Sequence, residues 1–143
     1  MAQAGYDVAV QWGTTQPDWD MIAIKKLRTL KLSIKGSQDG GWGLFQSYLE
    51  NARYRDALDL WLAHQPKDLI YFFVQFKEVG IGQPPRCYIT RPKEIVAHMH
   101  TTRGGHAYTS LREHHRYASG IGAGHTDNIP AQWSITQKRI DRI

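Results

Sequence analysis

Pro17-Asp18-Trp19-Asp20-Met21-Ile22-Ala23-Ile24 and Leu30-Lys31-Leu32-Ser33-Ile34-Lys35-Gly36-Ser37 are the two stretches whose reading decides the fold of this chain. Each has the composition of a β-strand, and only residues 25–29 lie between them. The first opens with carboxylates and runs into a continuous apolar segment, which suits a strand buried on both faces. The second alternates: Leu30, Leu32 and Ile34 face one way, and Lys31, Ser33 and Lys35 the other. Side chains two apart on a strand share a face, so Ser33 and Lys35 point to the same side.

Outward from this pair the pattern continues. Tyr6, Val8 and Val10 alternate with Asp7, Ala9 and Gln11, predicting a half-buried strand before a turn at residues 13–17. Residues 36–43 read as a glycine-rich loop. Tyr54, Leu58, Trp61 and Leu62 fall at helical spacing, predicting a helix from residue 48 or 49 to 64 that Pro66 stops. Residues 69–79 form the most apolar segment and read as a central strand. Residues 86–90 read as a short strand, and Pro92 opens a helix over 93–100. Arg103-Gly104-Gly105 breaks it. The remainder, about 104–143, reads as an irregular tail with a short helix at 110–116 and an anchor at Trp133.

The order β-β-β-α-β-β-α predicts a single α/β domain over residues 1–143, its core in about residues 1–100, with a mixed central sheet flanked by helices. The first three strands suit an antiparallel meander. The strand after the long helix pairs in parallel through a crossover. Ala2-Gln3-Ala4-Gly5 resembles the last turn of a helix closed by a glycine, and most of that helix would lie before Met1.

With 143 residues, 41% apolar and 11% aromatic, the chain is long and apolar enough to bury a core. No apolar run approaches the roughly 20 residues that span a bilayer. The first residues lack a signal peptide's basic start and apolar run, and Cys87 stands alone, so a cytoplasmic location is the expectation. The net charge of +5 favours anionic partners, nucleic acid first. Walker, Rossmann and nucleophile-elbow motifs are absent from the sequence. The seven histidines show no zinc spacing, and His98 and His100, two apart on a predicted helix, do not converge.

The chemistry that fits the opening pair is phosphodiester hydrolysis, in which a metal polarises the phosphate and generates hydroxide. Mg²⁺ takes oxygen ligands and keeps several waters, so one or two carboxylates suffice. Asp20 supplies a carboxylate, and Lys35 a cation for the attacking water or the phosphate. Ser33 points where a second ligand would sit, but offers only a neutral hydroxyl.

With Asp20 in Trp19-Asp20-Met21-Ile22-Ala23 and Ser33-Ile34-Lys35 as its motif, the chain resembles the PD-(D/E)xK nuclease superfamily, which includes many restriction enzymes and archaeal Holliday-junction resolvases. The resemblance covers about residues 1–79. More closely, Tyr6-Asp7-Val8, Ser33-Ile34-Lys35-Gly36-Ser37-Gln38-Asp39-Gly40-Gly41-Trp42 and Val74-Gln75-Phe76-Lys77, with residues 13–20, resemble a set of uncharacterised bacterial proteins. The superfamily resemblance implies a restriction-endonuclease-like core, DNA as partner and Mg²⁺ as cofactor, with Asp20 and Lys35 catalytic and Asp20 on the metal. It also exposes a departure: Ser33 stands where the family normally carries an acid. In some branches that acid migrates to the neighbouring helix, which makes Glu50 the first candidate for a second ligand here.

Each assignment has a plainer alternative. Asp20 suits a strand start that accepts turn hydrogen bonds. Glu50 suits a helix N-terminus stabilised by the dipole. Gln38 and Trp42 fit a nucleic-acid contact, Trp42 stacking on a base, or an ordinary turn with Trp42 in the core. Gln75 and Lys77 share a strand face that either lines the same cleft or is structural. A catalytically inactive nuclease-fold protein that binds nucleic acid or protein is the alternative to an enzyme, and a homodimer would cover apolar surface left open.

Overall fold

The computed structural model describes residues 1–12, 19–49 and 53–143. Strands β1 (Asp7–Val10), β2 (Met21–Lys25), β3 (Arg28–Ser37) and β4 (Gly41–Gly43) precede helix α1 (Tyr54–Ala63). Strands β5 (Leu69–Gln75) and β6 (Arg86–Thr90) follow, then helices α2 (Pro92–Met99) and α3 (Thr102–Gly105). Strands β7 (Ser110–Arg112), β8 (His114–Arg116) and β9 (Thr126–Asn128) and helix α4 (Gln137–Arg142) complete the chain.

The central sheet has the order β1-β2-β3-β5-β6. Its β1-β2-β3 meander is antiparallel, with Val10 opposite Met21 and Met21 opposite Leu32. A two-residue turn joins β2 to β3, and Lys26 adopts a left-handed φ of 55° there. α1 lies in the crossover that brings β5 back parallel to β3, with Ser33 opposite Tyr71 and Lys35 opposite Phe73. β6 closes the far edge antiparallel. The expected mixed α/β sheet with flanking helices is therefore present.

The two faces of the sheet carry separate cores. On the face that bears Ser33, Leu69, Tyr71, Phe73 and Tyr88 pack against Leu58 and Trp61 of α1 and Ile95, Val96 and Met99 of α2. Trp133 is buried in this core, as the sequence suggests. On the other face, Ala23, Leu30, Leu32, Ile70 and Ile89 pack against Tyr6 and against Ile140 and Ile143 at the C-terminal end. The N-terminal residues form a single 3₁₀ turn, Ala2–Ala4, closed by Gly5 at φ 79°.

Two expectations about the second half are corrected. Residues 110–116 are not helical: β7 pairs with β4, placing Leu111 opposite Trp42, and β8 pairs with β9. Leu111 is fully buried, so the partner of this segment lies some seventy positions earlier and local spacing cannot reveal it. For the same reason residues 104–143 are a structured layer rather than an irregular tail. The break at Arg103 and Gly104 is present, with both residues at left-handed φ values of 53° and 68°. None of the helices is long and apolar enough to cross a membrane, among the described residues.

Candidate functional site

The β2–β3 register extends one residue past Met21. The Asp20 N–H donates to Leu32 O at 2.8 Å, which carries the ladder on and sets Asp20 beside Ser33. Past that point β3 has no β2 partner, and the Ile34 N–H would be orphaned. Asp20 Oδ2 accepts it at 2.6 Å and also accepts the Ser33 hydroxyl at 3.4 Å. Ser33 is 4% exposed. The strand-start reading of Asp20 is met, because one carboxylate oxygen serves the backbone of β3, while Oδ1 makes no hydrogen bond among the described residues.

Lys35 follows Ser33 on the same face and is exposed. Its side chain makes no ion pair among the described residues. Its carbonyl accepts the Trp42 indole N–H at 3.0 Å. Trp42 is 3% exposed and packs on Phe73, with ring centroids 5.0 Å apart, and on Tyr88. Trp42 therefore belongs to the core and anchors the Lys35 backbone, and its ring has no open face to stack on a base.

The turn after β3 is closed locally. Ser37 Oγ donates to Asp39 Oδ1 at 2.9 Å, and the Gly41 N–H donates to that same carboxylate oxygen at 3.0 Å. These donors, Ser37 first, hold the Asp39 carboxyl below its usual range. Gln38 is exposed on this turn. Lys77 lays its stem against Gly40, whose φ is 90°; a Cβ there would come within 3.3 Å of Lys77 Cδ.

Gln75 sits opposite Ser37 on β5 and is fully buried. Its Oε1 accepts the Lys77 N–H at 2.8 Å, and its Nε2 has no partner among the described residues. Gln75 thus fixes the end of β5 from inside, while Lys77 and Gln38 are the exposed members of the expected contact set.

A group that sequence reasoning does not connect lies farther along this face. Arg86, opposite Gln75, donates to both carboxylate oxygens of Glu113 at 2.7 and 2.8 Å, and Tyr88 Oη donates to the same carboxylate. Arg86 holds the Glu113 carboxyl below its ordinary range. Burial, then the Glu113 acceptor, pushes the Tyr88 phenol up to about 12. Glu113 lies in the segment that reads as helix, and only the β4–β7 pairing brings it here.

As a metal centre the described donors are incomplete. No three His, Cys, Asp or Glu side chains converge among the described residues. Asp20, with one oxygen held by β3, is the carboxylate next to Ser33 and Lys35. Glu50 and Asp18 lie outside the described residues. One free carboxylate oxygen and a serine hydroxyl do not make a Mg²⁺ site of the two-carboxylate kind. The electrostatic character of the face is instead an acid anchored at its base and exposed lysines, Lys35 and Lys77, at its rim. Comparison with protein-family models, curated proteins and solved structures finds no match for the chain.

Proposed function

We propose that this chain is a divergent nuclease-fold protein that engages the phosphate backbone of DNA across the face bearing Asp20, Ser33 and Lys35. The observation that carries the reading is Lys35: an exposed ammonium without an ion-pair partner among the described residues, on the strand position next to the Asp20–Ser33 pair. Lys77 and Gln38 extend the exposed polar rim at the same end of the sheet. The net charge of +5 supports an anionic partner. Lysine binds phosphate as a point charge, so this contact carries affinity rather than sequence preference.

The test is anisotropy of a labelled duplex at rising salt. Wild-type binding should weaken steeply with salt, and Lys35→Ala should lower the magnitude of the log–log slope by about 0.9, the value for one phosphate contact. Unchanged affinity and slope in Lys35→Ala would remove the reading.

A second reading, Mg²⁺-dependent cleavage, has its own support in Asp20 Oδ1, which makes no hydrogen bond among the described residues. In that reading Asp20 would hold the metal with Glu50 as second ligand, and bound Mg²⁺ would supply phosphate polarisation and an activated water. Lys35 would stabilise the charge that builds on the phosphate. Supercoiled and branched DNA incubated with Mg²⁺ or Mn²⁺ should then be nicked by wild type and left intact by Asp20→Asn and by Glu50→Gln. Nicking that persists in Asp20→Asn would eliminate this reading and leave the binding one standing.

A further inference from the structure

The parallel pairing of β3 with β5 sets Lys35 opposite Phe73, four residues beyond Leu69. The opposite end of the sheet is therefore roughly 13 Å away at 3.3 Å per residue. There the end of α1, the turn into β5 and the start of α2 enclose a cavity of about 440 Å³. That volume falls within the range of small-molecule sites, about 300–1,000 Å³. Lys67, Arg91 and Lys93 line it, with Leu62, Pro66 and Pro92 as its apolar wall.

The lining holds three cations and no carboxylate. None of the three cations has an ion-pair partner among the described residues. The acids next to them in sequence are engaged elsewhere. Asp68 pairs with Lys31 at 2.8 Å. Glu94 Oε2 accepts the Arg91 N–H, the Thr90 hydroxyl and the Arg139 guanidinium at 2.9, 3.0 and 2.6 Å. Positive charge is thus concentrated on one concavity, with no ion-pair partner among the described residues. Arg91 is half-buried, and its backbone is fixed on both sides, since its N–H donates to Glu94 and its carbonyl accepts from Ile95 at 3.1 Å. A planar guanidinium set on fixed backbone, with two exposed lysines on the same lining, matches a phosphoryl group with three acceptor oxygens.

We infer that this cavity is a phosphate-binding site, separate from the Lys35 face. The phosphoryl group sits among Lys67, Arg91 and Lys93, with its organic part against Leu62, Pro66 and Pro92. The phosphate belongs either to a small phosphate ester or to a nucleic-acid backbone.

Two probes, inorganic pyrophosphate and a short DNA duplex, distinguish these sources. In ¹⁵N-resolved spectra of wild type, pyrophosphate should shift amides in residues 62–67 and 91–94, not those around Lys35. The triple variant Lys67→Gln, Arg91→Gln, Lys93→Gln should lose about tenfold or more in affinity. For a small ester, pyrophosphate binding falls while duplex affinity stays at the wild-type level. For a backbone phosphate, duplex affinity falls as well and its salt slope shrinks by up to about 0.9 per lost contact. Wild-type spectra in which neither probe moves these amides would overturn the inference, as would a triple variant that binds both probes as wild type does. The wild-type spectra need no variant to fold. Loss of DNA binding in Lys35→Ala with pyrophosphate binding intact would leave this site standing whatever becomes of the other.

Discussion

Asp20 Oδ2 replaces the acceptor that the Ile34 N–H loses when β2 ends, so the side chain has a structural duty separate from any chemistry. Two substitutions separate the duties. Asp20→Asn keeps an oxygen in place for that N–H, and should cost less than about 1 kcal/mol. Asp20→Ala leaves a half-buried donor unmade and should cost about 1–3 kcal/mol by urea unfolding. If both variants lose equal stability, the Ile34 bond is not what Asp20 contributes to the fold. A parallel case is Trp42→Phe, which retains the ring against Phe73 but removes the indole donor to Lys35 O. It should lose about 1–3 kcal/mol, combining the unmade bond with the lost ring volume. At this scale the sequence is informative where partners are close in the chain. Asp20 and Ser33 meet because a short hairpin joins their strands, and strand parity alone puts Ser33 and Lys35 on one face. Trp42 and Gln75 are different: both carry polar groups that suit a ligand, and only the packed layer above them shows that they are buried.

Elements that pair locally, β2 with β3 and β5 with β6, are legible from alternation and apolar runs because their period matches the burial they acquire. β7 and β8 are not, since each is three residues long and depends on partners in β4 and β9. One polar tie of this late layer to the sheet is the Glu113 carboxylate, gripped by Arg86 and Tyr88 of β6. Its pH dependence has a definite sign. Arg86 depresses the folded-state value below the ordinary 4.5, so the unfolded chain binds the proton more readily. The stabilisation is fully present above pH 4.5 and is lost as pH falls through the lower folded value. Glu94, held down by its Arg139, Arg91 and Thr90 partners against the opposing effect of burial, adds loss in the same direction. His98 acts over a higher window. Burial lowers its value from 6.5, so stability is present above pH 6.5 and declines below it as the unfolded imidazole takes up a proton first. Unfolding midpoints measured across pH should therefore separate the two. Glu113→Gln should flatten the decline below pH 4.5, and His98→Phe should flatten the one that starts at pH 6.5. A Glu113→Gln curve parallel to wild type through the acid range would show that the clamp is not linked to that proton.

For the whole molecule, the two faces of the sheet are covered by parts of the chain far apart in sequence. α1 and α2 lie close to the strands they cover, and the helical stripe of α1 announces the face it buries. The opposite face depends on the last residues, where Ile140 and Ile143 pack over Leu30, Leu32 and Ile89. Nothing in the local pattern of Gln137–Arg142 marks it as a cover, because a six-residue helix has too few positions to show a stripe. Beside the bonds that Arg139 makes to Ile89 O and Glu94, part of its polar attachment comes from Arg28, in the β2–β3 hairpin. The guanidinium donates to Tyr6 Oη at 3.0 Å, to Ile140 O at 3.1 Å and to the Ile143 carbonyl. One charged fork thus collects the carbonyls at the end of α4, which have no acceptor role left within the helix. Arg28→Met preserves the apolar stem and removes these donors, and should cost about 1–3 kcal/mol. Ile140→Ala removes the packing they hold in place and should cost about 2–5 kcal/mol. Because the clamp matters only while α4 is seated, and the seat only while the clamp holds, the two losses should not add. A double-mutant cycle should return a coupling of about 0.5 kcal/mol or more. Additive losses within experimental error would mean that the Arg28 bonds and the Ile140 packing hold α4 independently, beside the bonds of Arg139 to Ile89 O and Glu94.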